Sequence, residues 1–188
     1  GHHPFTGRFT GRYGERGRMN PMLAAPDHRS PLAITMGDAA GVGPEIVLRA
    51  WADGSLGDNV VVYGDAAILH AGAALLGLHI DWQQFPLVDL GLLSAADLVP
   101  GRLSAATGAA ARAYVERATL DALSGAVSGL VTLPMNKEAT QLTHPGFVGH
   151  TEFIAELCGA QKVTMMLTAA LAPTGENEIG RASCRERV

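Results

Sequence analysis

Three short stretches carry side chains that could do chemistry. In His144-Pro-Gly-Phe-Val-Gly-His-Thr-Glu152 a proline and two glycines shape a loop that delivers His150 and Thr151 to the start of a helix. An imidazole and a hydroxyl on adjacent residues, beside the N–H groups of a helix start, form a compact donor set able to grip a phosphate or a substrate hydroxyl. His150 and Glu152 by themselves make no metal site, because zinc needs three or four convergent ligands. In Thr132-Leu-Pro-Met-Asn-Lys-Glu138 the residues Thr132, Asn136 and Lys137 follow a short apolar strand. Ligands of open α/β sheets sit in the crevice outside the carboxyl ends of the strands, so this stretch is well placed. Lys137 would offer a positive charge to a phosphate or carboxylate, and the same residues also read as an ordinary helix start with a solvated lysine. In Met36-Gly-Asp-Ala-Ala-Gly-Val-Gly-Pro-Glu45, Gly37, Gly41 and Gly43 surround a strand-to-helix junction. Two readings stay open there: an approach of bare backbone to an anionic ligand, or a tight connection with Asp38 as its turn residue. The dinucleotide fingerprint GxGxxG is absent, since Gly41-Val42-Gly43 runs into Pro44-Glu45-Ile46.

The elements that must position these residues alternate in type. Pro31–Met36 reads as a strand, and Pro44 with Glu45 opens a helix, the proline where its missing N–H costs nothing and the carboxylate where the macrodipole favours it. Asn59–Tyr63 reads as a buried strand, and Asp65–Leu76 as a helix capped by Asp65 and ended by Gly77. Leu78–Phe85 alternates as a half-buried strand does, and Ser104–Ser124 is an Ala-rich helix with apolar positions at 3.6 spacing. Gly129–Leu133 is a strand, Glu152–Leu157 helical and Lys162–Leu171 strand-like. Strands alternating with helices predict an α/β layered fold on a mainly parallel sheet. His70, His79 and His144 read as surface or satisfied structural histidines, and the Met165-Met166 pair as core packing.

Composition narrows the function classes. The chain has 188 residues, 47% hydrophobic and 17% charged, enough to build a core for one domain or slightly more. Fourteen Lys+Arg against 18 Asp+Glu leave a charge of -4, with no basic excess for a nucleic-acid partner. No apolar run approaches the ~20 residues that span a bilayer, so a membrane partner is not expected. Cys158 and Cys184 are too few and too far apart for a disulfide framework, which fits a reducing, cytoplasmic setting. Residues 1–30 are dense in Gly, Arg, Pro and His without apolar period, and read as a disordered leader, explained most simply by translation from upstream of a true start at Met19 or Met22. After the apolar run 163–172 the segment 173–188 turns polar with no further periodic element, and reads as foreign to the fold.

Together and in order, MGDAAGVGPE, TLPMNKEA, PGFVGHTEF and KVTMML resemble the 4-hydroxythreonine-4-phosphate dehydrogenase (PdxA) family over residues 31 to about 171. The resemblance implies a fold similar to isocitrate and isopropylmalate dehydrogenases, and a cytoplasmic homodimer. It implies NAD-dependent oxidation, with decarboxylation, of 4-phosphohydroxy-L-threonine in pyridoxal phosphate (vitamin B6) biosynthesis, with a divalent metal (Zn, Mg or Co) polarising the C3 oxygen. The His-Thr of the family's GHTE motif falls on His150 and Thr151, which would bind substrate; Asp38, Asn136 and Lys137 are further active-site candidates. The family's metal-binding histidines and most of its NAD contacts lie beyond the strand ending near Leu171. The chain is therefore expected to be the N-terminal part of such an enzyme, with no catalytic residue or metal ligand of its own, and inactive alone. Ala39 stands where the family usually has proline, a change expected to alter loop stiffness more than chemistry. Two alternatives share the same motifs: a 4-phospho-D-erythronate or 4-phospho-D-threonate dehydrogenase of the same family, and a non-catalytic fragment that keeps an anion-binding loop.

Overall fold

The computed structural model describes residues 30–167 and the backbone of residues 183–187. The segments read as leader and as foreign tail lie outside the described residues except for Ser30 and that last stretch of backbone. Strands β1 (Leu32–Thr35), β2 (Val60–Gly64), β3 (Leu87–Asp89) and β4 (Gly129–Thr132) form one sheet in the order β3-β2-β1-β4. Every pairing in it is parallel, with Ile34 level with Val62 on one side and Val131 on the other. The sheet therefore grows from β1 in two directions. Helices α1 (Gly43–Ala52) and α2 (Ala66–Leu76) make the crossovers on one side, and α3 (Ala105–Leu123) carries the chain back past β1 to β4. Because such crossovers are right-handed, the reversal of direction puts α1 and α2 on one face of the sheet and α3 on the other.

The parallel sheet needs apolar cover on both faces; the core supplies it over β1 and β2, while Val131 on the edge strand β4 is 41% exposed. Met36, Val47, Leu48, Val62, Tyr63, Ile68, Leu69 and Tyr114 are all essentially inaccessible and belong to one cluster. The Ala-rich face of α3 lets a second helix come close. Helix α4 (Lys137–Gln141) packs on it where Gly108 lies, and a Cβ there would stand 2.4 Å from the carbonyl oxygen of Ala139. Helix α2 ends as its sequence predicts, at Gly77 with φ 65°, which frees the chain to turn.

Four sequence expectations need correction. Leu78–Phe85 is no strand: Asp81 closes a turn by accepting the backbone N–H of Gln83, and its carbonyl accepts those of Gln84 and Phe85. The alternation there reflects anchoring of Trp82, which stacks on His70 at 3.9 Å and leans on Phe85; the third strand begins only at Leu87. Asp65 holds the N-cap position of α2 without capping it, and the N–H of Ala66 is taken instead by Asp89 Oδ1 at 3.0 Å. Met165 and Met166 are 37% and 61% exposed, because β5 (Val163–Leu167) lies outside the four-stranded sheet and pairs antiparallel with β6 (Ser183–Arg187). That last strand falls in the polar segment where no element is expected; backbone pairing needs no apolar side chains, so its composition gives no signal. His70 and His79 are exposed, and His144 Nδ1 meets Thr143 Oγ1 at 2.9 Å, in line with the reading of all three as structural or surface residues.

Candidate functional site

In a sheet of order β3-β2-β1-β4 the strand connections diverge between β1 and β4, and the crevice at their carboxyl ends is the default ligand position. The first two motifs meet there. Asp38 N donates to Pro134 O at 3.0 Å, and Leu133 N to Thr35 O at 3.2 Å, so the loops after β1 and β4 are stitched together by backbone. Glycine is required for this seam. Gly37 has φ 75°, and a Cβ on it would lie 2.3 Å from Pro134 O; a Cβ on Gly43 would lie 1.9 Å from Met36 O. The space beside these two glycines is filled by the protein's own chain, which favours the tight-connection reading over a cradle for a ligand. Asp38 is the turn residue of that connection: it is 3% exposed, and its Oδ1 accepts the N–H of Ala40 at 2.8 Å.

Asn136 is the N-cap of α4, with its Oδ1 accepting the N–H of Ala139 at 3.0 Å. Lys137, the first residue of that helix, is exposed and makes no ion pair with any described residue. Of the two, the lysine keeps a charged group available to a ligand, while the asparagine's side-chain oxygen is committed to the helix. Met135, just ahead of them, packs under the third motif against a small cluster of Val115, Phe147 and Phe153. Phe147 and Phe153 meet edge-on with centroids 5.9 Å apart, and the guanidinium of Arg112 lies 4.3 Å over the Phe153 ring.

This cluster seats helix α5 (His150–Leu157), which starts two residues earlier than its sequence suggests. His150 and Thr151 form its first turn, with Glu152, behind Gly149 at the N-cap position, which has no side chain to cap the helix. His150 Nε2 is shut off from solvent and finds no hydrogen-bond partner among the described residues. An unpaired ring nitrogen so placed costs free energy that a polar group of a ligand would recover. Burial also pushes the His150 pKa below the ordinary imidazole value. A histidine whose folded pKa is depressed adds stability above the unfolded value, and loses it as pH falls through that value toward the folded one. Urea midpoints are thus expected to fall as the pH drops below the ordinary imidazole value of about 6.5, and His150→Gln should flatten that slope; an equal slope in the mutant would mean that His150 is solvated.

The three motifs therefore lie along one continuous edge, the first joined to the second by the Asp38–Pro134 bond and the second to the third through Met135. Among the described residues no group of three or more His, Cys, Asp or Glu converges to hold a metal ion. One contributor was invisible to sequence reasoning: Gln141, whose Nε2 donates to Phe147 O at 2.7 Å across the loop between α4 and α5. A glutamine six residues from its partner gives no periodic or motif signal.

Residues 57–172 match the family described as pyridoxal phosphate biosynthetic protein PdxA. The chain belongs to the PdxA family. It is 36% identical over 153 residues to the 4-hydroxythreonine-4-phosphate dehydrogenase of Beijerinckia indica, covering 75% of this chain and 45% of that protein. It is equally 36% identical, over 158 residues, to the D-threonate 4-phosphate dehydrogenase of Cupriavidus necator, covering 76% of this chain and 47% of that protein. The crystal structure of a 4-hydroxythreonine-4-phosphate dehydrogenase from Burkholderia phymatum is similar with a TM-score of 0.67 at 37% identity, over 76% of this chain and 48% of that one. The PdxA-family fold expected from the motifs is thus present, and the chain spans a little under half the length of these relatives.

Proposed function

We propose that this chain is the N-terminal half of a cytoplasmic, homodimeric dehydrogenase that oxidises a phosphorylated hydroxy acid, with 4-phosphohydroxy-L-threonine as substrate, NAD as hydride acceptor and loss of carbon dioxide from the product. This places it in pyridoxal phosphate biosynthesis. The observation that carries the reading is the first turn of α5, where the buried Nε2 of His150 has no partner among the described residues and Thr151 follows it in the chain. A neutral imidazole, a hydroxyl and the N–H groups of a helix start suit an oxyanion or hydroxyl of such a substrate. The described residues do not suit the other two groups. Gly37 and Gly43 face backbone where a nucleotide phosphate would need open space, and no ligand set for a divalent metal is present among them. Both NAD and the metal belong, in this reading, to the remainder of the protein, and His150, Thr151 and Lys137 serve to bind and orient the substrate.

The test uses the protein with its C-terminal half in place. Losing one charge-assisted hydrogen bond to substrate costs about 1.5 to 3 kcal/mol, so His150→Ala and Thr151→Val are each expected to lower kcat/KM by about 10- to 150-fold. NAD affinity and metal content should stay at the parent level. A normal kcat/KM in the His150 variant would remove this pair from the active site, and a fall in metal content would make His150 a metal ligand instead. The 188-residue chain alone is expected to give no NAD reduction; turnover by it would show that it carries a complete active site.

A second reading, 4-phospho-D-threonate as substrate, is supported by the equal identity to the Cupriavidus necator relative, and 4-phospho-D-erythronate is kept beside it as the related sugar acid that the motifs also allow. Comparing kcat/KM for the amino acid and for the two sugar acids decides between them.

A further inference from the structure

We propose that Gln141 is a positioning residue for the substrate-binding pair His150–Thr151, an inference that rests on the reading of that pair given above. The loop from Leu142 to Gly149 is tied to α4 at its start, where the N–H groups of Leu142, Thr143 and His144 return to carbonyls of that helix, and it exposes Leu142, Thr143, Pro145, Gly146 and Val148. Phe147 is its one deeply buried residue, 6% exposed. Its N–H closes a turn on His144 O at 2.9 Å, and its ring is pinned by Phe153 and Val115. Its carbonyl is held by the half-buried side chain of Gln141, the last residue of α4. A carbonyl oxygen only accepts, so the NH₂ end of the glutamine must face it.

The placement of this bond gives it leverage. Between Phe147 and His150 stand only exposed Val148 and Gly149, the latter in extended backbone with φ 168°. The ring contacts fix the depth of Phe147, and the Gln141 amide fixes the direction of its carbonyl. Gly149 has the widest choice of backbone angles of any residue type, and the chain after it is held by the first bond of α5, from Phe153 N to Gly149 O at 3.1 Å, so an error in the direction of the Phe147 carbonyl is passed on to that helix start. The bond from Gln141 therefore sets the angle at which the chain enters α5, and with it where the His150 ring and the Thr151 hydroxyl point. Gln141 itself touches neither of them and acts through the backbone.

The experiment is kinetic and is done on the enzyme with its C-terminal half in place, using whichever of the three phosphorylated acids gives the highest kcat/KM. Gln141→Ala and the equal-length Gln141→Glu, which offers no donor, are expected to raise KM about three- to ten-fold while kcat changes less than about two-fold, as for a loss of uniform binding. Gln141→Lys, which keeps a donor on a long side chain, should bring KM back to within about two-fold of the parent. In a His150→Ala background Gln141→Ala should add no further loss, the signature of two residues acting on one contact. The His150 ring proton resonances should shift in Gln141→Ala without substrate, which a merely stabilising residue would not cause. Parent KM in both Gln141→Ala and Gln141→Glu, with His150→Ala still impaired, would overturn the proposal and leave the function standing. A full additional loss in the His150→Ala background would overturn it as well. A normal His150→Ala enzyme would overturn the function and this proposal together.

Discussion

Asp65→Asn is expected to destabilise the domain by about 3 kcal/mol, and Asp65→Ala by more, since each buried donor left without an acceptor costs about 1 to 3 kcal/mol. Asp65 is fully buried at the end of β2. Its carboxylate accepts three hydrogen bonds, from Leu92 N at 2.8 Å, Leu93 N at 3.0 Å and Tyr114 Oη at 2.5 Å. One side chain thereby ties the loop after β3 and the middle of α3 to the sheet. Burial, with the carboxylate beside it, pushes the Tyr114 pKa far above the ordinary phenol value, so the hydroxyl stays protonated and donates. An asparagine can face only one of its two side-chain atoms to these donors as an acceptor, and its NH₂ meets the remaining donor head-on. Tyr114→Phe removes one bond and leaves the carboxylate its two backbone partners, so its cost should be smaller, about 1 to 2 kcal/mol. Urea unfolding followed by the fluorescence of Trp51 and Trp82 reads both, and an unmoved midpoint in Asp65→Asn would show that the network is open to water.

Gly108→Ala should be of similar size and should also reach the site. A Cβ on Gly108 would lie 2.2 Å from the carbonyl carbon of Ala139 and 2.4 Å from Thr140 N. These are backbone atoms, so no side chain can swing away, and α4 must shift as a body. The shift breaks the bond from Thr140 Oγ1 to Gly108 O and drags along Asn136, Lys137 and Gln141. Overpacking of this kind costs about 1 to 3 kcal/mol and occasionally more; with backbone on the receiving side we expect about 3 kcal/mol. The expected result is a lower urea midpoint together with a raised KM in the enzyme with its C-terminal half in place. Retention of both values would mean that α3 and α4 part without cost.

The sequence by itself determined the alternation of elements, and with it the α/β class. Short β-branched runs such as Val60–Tyr63 and the 3.6-residue spacing in 105–123 are local signals, and Gly77 marks a helix end through its own conformational freedom. The order of motifs likewise determined the family, because residue types at fixed spacing are written in the chain itself. It also marked the stretches that hold Asp38, Asn136, Lys137, His150 and Thr151. Only the tertiary structure decided which partners Asp38 and Asn136 meet, and that His150 Nε2 is buried. Asp65 and Asp89 are both carboxylates near the start of α2, and sequence proximity favoured the wrong one as its cap; the right one comes from β3, brought alongside by parallel pairing. Gly37 and Gly43 of the first motif have two readings in the sequence, and the structure favours the tight connection because Pro134 O and Met36 O occupy the space a Cβ would need. Leu78–Phe85 and Met165-Met166 misled for the same reason, since a period or an apolar pair records what could be buried and not what lies next to it. Local propensity is a property of neighbours along the chain, whereas a side chain's role is fixed by the partners that folding brings from far along it, and those partners leave no mark at the residue they meet.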